Sequence, residues 1–324
     1  GLAAQALPAH LHPTLARLHA LARAEGGDAA LSAEFAVRFQ QVSGALVAKG
    51  VEDTAFYRWT QLLTLCEVGA DPGHFGFPAD RGRDGLDELH DWLGRVNGGW
   101  PATMASGSTH DSKRSEDVRA RIATISEFPA EWSELVTSLA PFTGDLPAPI
   151  RTTLWQTLAG TWTPAGPIEA DRVAAHCIKA GREQKLWTSW VSPDDAAEAT
   201  VAQVVPGLMA APQVRESFAR WAGLTADSVR TNTLATKLVQ LTALGVADLY
   251  QGQETVRLSL TDPDNRRAVD YGALRRLLAA TVAGEDVQLL PYSGSDRQIW
   301  QPERLSGRDC SPGDQKRPAS SPTG

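Results

Sequence analysis

Apolar residues recur at helical spacing from the start of the chain. Leu11, Leu15 and Leu18 stand at i, i+4 and i+7, and after a Gly26-Gly27-Asp28 break a second run, Ala30 to Ser43, continues in the same helix-forming composition. The period then changes. In "SGALVAKGVEDTAFYRW" (43 to 59) a short apolar run precedes Gly50 and a cluster of charges, which predicts a buried strand that delivers a polar loop. "GADPGHFGFP" (69 to 78) reads as a loop punctuated by Gly and Pro, and "DGLDELHDWLGRV" (84 to 96) as a short amphipathic helix. The order repeats further on: Ala102 to Ala105 predicts a strand, "STHDSKRSED" (108 to 117) its carboxyl-terminal loop, and Ser115 the N-cap of a helix with Glu116 and Asp117 in its first turn. Val118, Ile122 and Ile125 form that helix's apolar stripe.

From 128 to 230 the chain predicts mostly helix, rich in Trp, with breaks at "PFTGDLPAPI" and "TWTPAGPIEADR". Within it Val173, Cys177 and Ala180 share one stripe, while Lys179, Arg182 and Lys185 fall on a neighbouring face that spacing alone leaves open between a solvated surface paired with Glu183 and a functional one. Leu234, Leu238 and Leu241 predict a core helix stopping at Gly245, and "VADLYQGQE" (246 to 254) one more buried strand leading into a polar loop. Strand, functional loop and helix in repetition are the grammar of the (β/α)8 TIM barrel, whose sites sit at the strands' carboxyl ends, but three such units do not close eight strands. The expected fold class is therefore α/β: an incomplete (β/α)8 barrel, its last strands only, with a large helical insertion. The expected boundaries are 1–127 for later barrel strands and helices, 128–230 for the inserted subdomain, 231–290 for the last strand and its following segment, and 291–324 for a disordered tail rich in Pro, Gly and Ser.

Composition narrows the function classes. The 324 residues are 42% hydrophobic, enough for a sizeable core, and carry a formal charge of -7, which argues against a nucleic-acid partner. The text shows neither a run of about 18 apolar residues nor a signal-peptide pattern, so a cytoplasmic location without a membrane partner is expected. Cys66, Cys177 and Cys310 are odd in number and far apart, supporting neither a disulfide framework nor a metal site, and no cofactor or metal is expected. Ten tryptophans offer flat faces suited to sugar rings, although most are expected to pack in the core.

Four strings carry a resemblance: "KGVEDTAFYR" (49 to 58), "STHDSKRSEDVRAR" (108 to 121), "KAGREQKLWTSW" (179 to 190) and "DLYQGQETVRLSLTDPDNRRAVDY" (248 to 271). In this order they resemble the maltooligosyltrehalose synthases, a family of retaining barrel enzymes in the α-amylase superfamily, over roughly residues 35 to 280. The resemblance implies intramolecular transglycosylation, converting the reducing-end α-1,4 linkage of a maltooligosaccharide to an α,α-1,1 linkage. Retaining chemistry needs a carboxylate nucleophile and a carboxylic acid about 5 Å apart around an oxocarbenium-like transition state. The family adds a third carboxylate, preceded by His, and Asp111 matches it, with His110 as its hydrogen-bonding neighbour. The resemblance further implies substrate contacts for Lys113 and Arg114 on the same loop, and for Lys49, Glu52 and Asp53, which otherwise serve as salt bridges shaping their own loop. Lys179, Arg182, Lys185 and Trp190 match a region covering the reducing-end side of the cleft. Tyr250, Gln251 and Glu254 match the loop after the last barrel strand, in either a structural or a substrate-contacting role. "DPDNRR" is expected to be a loop brace with Arg266 or Arg267 paired to a carboxylate.

No position matches the family's nucleophile or general acid, which belong to earlier barrel strands. The text therefore reads as a piece of a longer protein whose missing amino-terminal half is an implied partner, inactive alone. A sugar-binding piece without turnover, or an amylase-like hydrolase or glucan transferase, are the alternatives. The "KGVEDTAFYR" string and the helical insertion count against the second.

Overall fold

The computed structural model describes residues 8–23, 25, 29–70, 72 and 85–285. The chain is mostly helical, with a few short strands. Helices α1 (His12–Ala22) and α2 (Ala29–Gly50) pack on each other, and α2 runs on through a wider π-helical turn (Val51–Ala55) and a last helical turn (Phe56–Arg58). After α3 (Gly85–Gly99) come strand β1 (Met104–Ser106), α4 (Glu116–Ala123), α5 (Pro129–Leu139) and α6 (Ala148–Thr161). A two-residue hairpin, β2 (Trp162–Thr163) and β3 (Gly166–Pro167), precedes α7 (Ala170–Gln184), α8 (Asp195–Ala210), α9 (Pro212–Leu224) and α10 (Ala226–Thr242). Strand β4 (Val246–Asp248), a long irregular segment and α11 (Tyr271–Val282) complete the described chain.

The core lies between α4, α6, α7, α8 and α9. Val118, Ile122, Ile150, Leu154, Leu158, Val173, Cys177, Val201, Val205 and Phe218 are sealed from solvent there. Each such side chain contributes roughly 1.5–3 kcal/mol of transfer free energy, which offsets the ordering of the helices that carry it. The Val118–Ile122–Ile125 and Val173–Cys177–Ala180 stripes are both buried, as their spacing predicts. Most of the tryptophans serve this core. Trp155 and Trp162 stack on Phe218 at 6.0 and 5.2 Å, Trp132 leans on Trp221, and Trp59 and Trp187 pack at the margin. Burial pushes the Cys66 and Cys177 thiols up to about 11 and about 12, so both stay protonated and inert near neutrality.

Several expectations are corrected. Residues 43–48 are not a strand but the last turns of α2. Ala45, Leu46, Ala48 and Lys49 are good helix formers, and the roughly 1 kcal/mol that each of Gly44 and Gly50 costs is not enough to end a helix already under way. No barrel is seen among the described residues. β1 and β4 form a two-stranded parallel pair with Met104 opposite Val246 and Ser106 opposite Asp248. Val246 is 51% exposed rather than buried, and Leu234, Leu238 and Leu241 are 60%, 62% and 54% exposed rather than core. The physical reason is which face of α10 finds a neighbour. Its Lys237 pairs with Glu116 of α4 and its Asn232 donates to Glu127, so the leucine stripe points elsewhere. Residues 291–324, and most of the predicted 69–78 loop, lie outside the described residues, as does Cys310. Among the described residues no helix is long and apolar enough to cross a membrane.

The parallel pair matters because it puts the loops after β1 and after β4 at the same end. Gln240 of α10 braces both strands, its amide donating to the carbonyls of Ala105 (3.0 Å) and Asp248 (2.8 Å). Gly245 makes the approach possible. It has φ +119°, its Cα faces the Thr103 carbonyl, and the next amide, Val246 N–H, donates to that same oxygen at 2.9 Å. A methyl group at position 245 lands inside van der Waals contact of that oxygen and in a backbone region closed to L-residues. Gly245→Ala is expected to cost about 2 kcal/mol. Urea titration against the parent chain checks this, together with faster amide exchange at Val246.

Candidate active site

The site is built around one face of the helix that follows α2. Lys49, Asp53 and Tyr57 are spaced four apart and so lie one above another. The π turn spans Asp53, and the Thr54 hydroxyl donates back to the Lys49 carbonyl at 2.8 Å. π turns inside helices often mark functional positions, because they re-aim side chains that an α-helix would space evenly. The loop after β1 meets this face. Lys113 Nζ donates to Asp53 Oδ1 at 2.8 Å, Lys49 pairs with Asp53 Oδ2, and the Lys113 ammonium lies 5.8 Å over the Tyr57 ring. Tyr57 in turn donates its hydroxyl to Thr261 Oγ1 at 3.3 Å.

Charge and burial are balanced across this cluster. Lys113 is 3% exposed, and burial is the largest single influence and disfavours its ammonium. The hydrogen bond it donates to Asp53 and the attraction of Tyr57, Asp53 and Asp111 together outweigh that and hold its pKa above the ordinary lysine value. Burial likewise opposes the Asp53 carboxylate, and the two lysines together hold it below the usual carboxylate range. Lys49 sits high because of Asp53. Burial raises the Tyr57 phenol. All three charged partners are therefore ionised at neutral pH, with a network net charge of about +1 that suits a negatively polarised or hydroxyl-rich ligand.

Asp111 and His110 stand at the exposed tip of the same loop, and the Asp111 carboxylate helps hold up the Lys113 pKa. The tip is shaped by short-range bonds. Thr109 N–H donates to Ser112 Oγ (2.7 Å), Asp111 N–H to Thr109 Oγ1 (3.1 Å), and Asn265 donates its amide to the His110 carbonyl (2.8 Å). Arg114 points inward, is 2% exposed and pairs through its backbone with Leu260, so it supports the loop from beneath. Ser115 occupies the N-cap as its position predicts, yet its hydroxyl donates to the Arg257 carbonyl (2.6 Å) instead of capping α4.

The other two strings also contact this cluster. Lys185, left-handed at φ 56° at the end of α7, donates to Thr54 Oγ1 at 2.8 Å, and Arg58 donates to the Gln184 carbonyl at 2.6 Å. Lys179 donates to the Asp262 carbonyl at 2.5 Å. Arg182 makes a fork with Glu198 (2.8 and 2.6 Å) and lies 4.8 Å over the ring of Trp190, itself 55% exposed. The expected brace in "DPDNRR" is present: Arg266 pairs with Asp262, and Asp264 receives a two-pronged contact from Arg172 at 2.7 and 2.8 Å. Glu52 turns away and accepts from Gly69 N–H at 3.3 Å. Tyr250, Gln251 and Glu254 lie on the loop after β4. Gln251 contacts Tyr271 and Arg257, and among the described residues no hydrogen bond or ion pair ties these three to the Lys113 cluster.

One residue escaped the sequence reading. Glu67 accepts the backbone N–H groups of Lys113 (2.9 Å) and Arg114 (3.2 Å) and pairs with Arg119 at 3.1 Å. It lies 46 positions from the loop it holds, and no local pattern announces such a contact.

Comparison with known proteins gives this arrangement its relatives. No protein-family model matches the chain. A Mycobacterium tuberculosis (strain H37Rv) protein described as a maltooligosyl trehalose synthase is 39% identical over 270 residues, which is 82% of this chain and 33% of that protein. The structure of maltooligosyltrehalose synthase from Arthrobacter ramosus superposes with a TM-score of 0.77 at 36% identity, covering 89% of this chain and 36% of that one. A hypothetical maltooligosyl trehalose synthase from Sulfolobus tokodaii gives 0.64 at 31%, covering 74% and 33%. The chain thus shares its architecture with part of a class of α-amylase-superfamily enzymes. Within that class it is homologous to the maltooligosyltrehalose synthases, and it spans about a third of the length of the relatives it matches.

Proposed function

We propose that this chain forms part of a maltooligosaccharide-converting active site, in which the reducing-end α-1,4 linkage becomes α,α-1,1 by retaining, intramolecular transglycosylation. The observation that carries the reading is that the four resembling strings contact one another around the loop that carries Asp111, through Lys113 to Asp53, Lys185 to Thr54 and Asn265 to the His110 carbonyl, within a chain 39% identical to a maltooligosyl trehalose synthase. Asp111 takes the role of the third carboxylate, stabilising the positive charge that develops on the sugar ring. His110 bonds a sugar hydroxyl beside it. Lys49 is 73% exposed at its side chain and contacts the reducing-end glucose, while Asp53 holds it and Lys113 in register. The Arg182-backed face of Trp190 stacks on a glucose ring and helps exclude water, so that the glycosyl intermediate is taken by the bound glucose rather than hydrolysed. The nucleophile and general acid come from polypeptide outside these 324 residues, and β1 and β4 are neighbouring strands of the barrel that this polypeptide completes. A second reading, maltooligosaccharide binding without turnover, is favoured by the chain's coverage of only a third of its relatives.

Incubation with maltopentaose, with the chain alone and mixed with a separately expressed preceding segment, separates the readings. Loss of reducing ends only in the mixture is the expected result. Binding without loss in either sample favours the second reading. Glucose or maltose as the main product overturns the transglycosylation, and turnover by the chain alone overturns the assignment of the missing carboxylates.

A further inference from the structure

We propose that Glu67 is a positioning residue for Asp111, acting through the backbone of the loop between them; the inference rests on the role proposed for Asp111. Among the described residues no hydrogen bond is made to the Asp111 carboxylate, so its placement follows from the path of the loop that carries it. Around the tip that path is fixed by the Thr109–Ser112 bond that spans Asp111 and by Asn265 on the His110 carbonyl, ordinary uncharged bonds. On the carboxyl-terminal side the fixing is charged. The two oxygens of Glu67 divide between adjacent amides, Oε1 taking Lys113 N–H and Oε2 taking Arg114 N–H, the geometry in which a carboxylate grips a turn of backbone. Arg119 completes the clamp. Its guanidinium pairs with Glu67 Oε2 at 3.1 Å, donates to the Arg114 carbonyl at 2.8 Å and also reaches the Gly107 carbonyl, so one side chain ties both ends of the loop.

Glu67 is anchored to receive these bonds. Its Oε1 also accepts from Val68 N–H at 2.9 Å, and it directly follows the buried Cys66, whose backbone N–H donates to the Leu63 carbonyl. Leu63 is itself locked to the core, because its N–H donates to buried Gln156 Oε1 at 2.8 Å. The loop tip is thus referred through Glu67 to the rigid centre of α6. Fixing a reactive group to within a fraction of an ångström is what such supporting residues do, and a small misplacement lowers turnover more than binding.

Two measurements test this. In the 324-residue chain, Glu67→Gln keeps the size and one acceptor but removes the charge, and is expected to speed amide exchange at Lys113 and Arg114 by ~10-fold or more, with the helical spectrum unchanged. In the completed enzyme it is expected to lower kcat by ~10-fold with little change in KM, while Arg119→Lys does the same and Glu67→Asp restores part of the rate. The deciding comparison is Glu67→Gln combined with Asp111→Asn. If Glu67 acts through Asp111, the double variant is no slower than Asp111→Asn alone. Independent, multiplying losses overturn the proposal, as does unchanged exchange at the two amides. If Asp111→Asn alone turns over normally, it is the role of Asp111 that fails, whatever the exchange experiment shows.

Discussion

Replacing Asp111 by Asn in the completed enzyme is expected to lower kcat by ~10²-fold or more, the effect of losing one aligned electrostatic contact to a transition state. Asn has the shape of Asp, and the backbone bonds that form the loop tip, from Asp111 N–H to Thr109 and from Asn265 to His110, survive the change. What disappears is a negative charge that matters chiefly when the sugar ring becomes positive. The loss should therefore appear in kcat, with KM moving much less. Because Asp111 is exposed, the stability of the chain should change by no more than about 0.5 kcal/mol. Steady-state rates with maltopentaose, beside a urea titration of both proteins, check the two halves together. Near-normal turnover removes Asp111 from the mechanism, whereas lost turnover with lost stability indicates a disrupted loop.

The sequence made the buried stripes legible because their chemistry is local. Val118–Ile122–Ile125 and Val173–Cys177–Ala180 have helical spacing, and each finds the core it predicts. The same reasoning failed at Leu234, Leu238 and Leu241, where the period was right but the neighbour was not: a stripe says that one face is apolar, not what covers it. At 43–48 an apolar run too short to show its period predicts a strand, whereas it continues the helix that begins at Ala29. The site divides in the same way. Resemblance pointed to Lys49, Asp53 and Lys113, and the structure brings these three into contact. It also turns Arg114 inward and gives Lys179 and Arg182 backbone and carboxylate partners, distinctions that depend on what lies across the fold. Glu67 shows the limit, since a carboxylate that accepts backbone amides leaves no trace in the identity of the residues it holds.

Asp53→Ala is expected to destabilise the chain by about 3 kcal/mol, because it leaves the Lys113 ammonium buried without its counter-charge. The asymmetry in exposure decides where the cost falls. Lys49 is 73% exposed and returns to water when Asp53 is lost, whereas Lys113 is 3% exposed and keeps the face of Tyr57 and the unbonded attraction of Asp111, weaker partners for a cation than a hydrogen-bonded carboxylate. The pH dependence gives the result its sign. In the folded chain Asp53 is held below its ordinary value of 3.8, so its contribution is fully present above about pH 4 and is lost as the pH falls through the lowered value. Asp117 behaves in the opposite sense. Burial pushes it up to about 6, so the folded chain binds its proton first and loses stability as pH rises between about 4 and 6. The parent's acid profile mixes these trends with those of Asp264, Glu169 and Glu198, whose carboxyls their arginine partners also hold low, but both chains share all of these groups, and their difference isolates Asp53. Urea titrations from pH 7 to pH 2.5 should therefore show a constant gap that closes only below pH 4. A gap that persists unchanged at the acid end means that Asp53 contributes by packing, and a gap near zero at pH 7 means that the Lys113 ammonium is not held in the protein interior by Asp53.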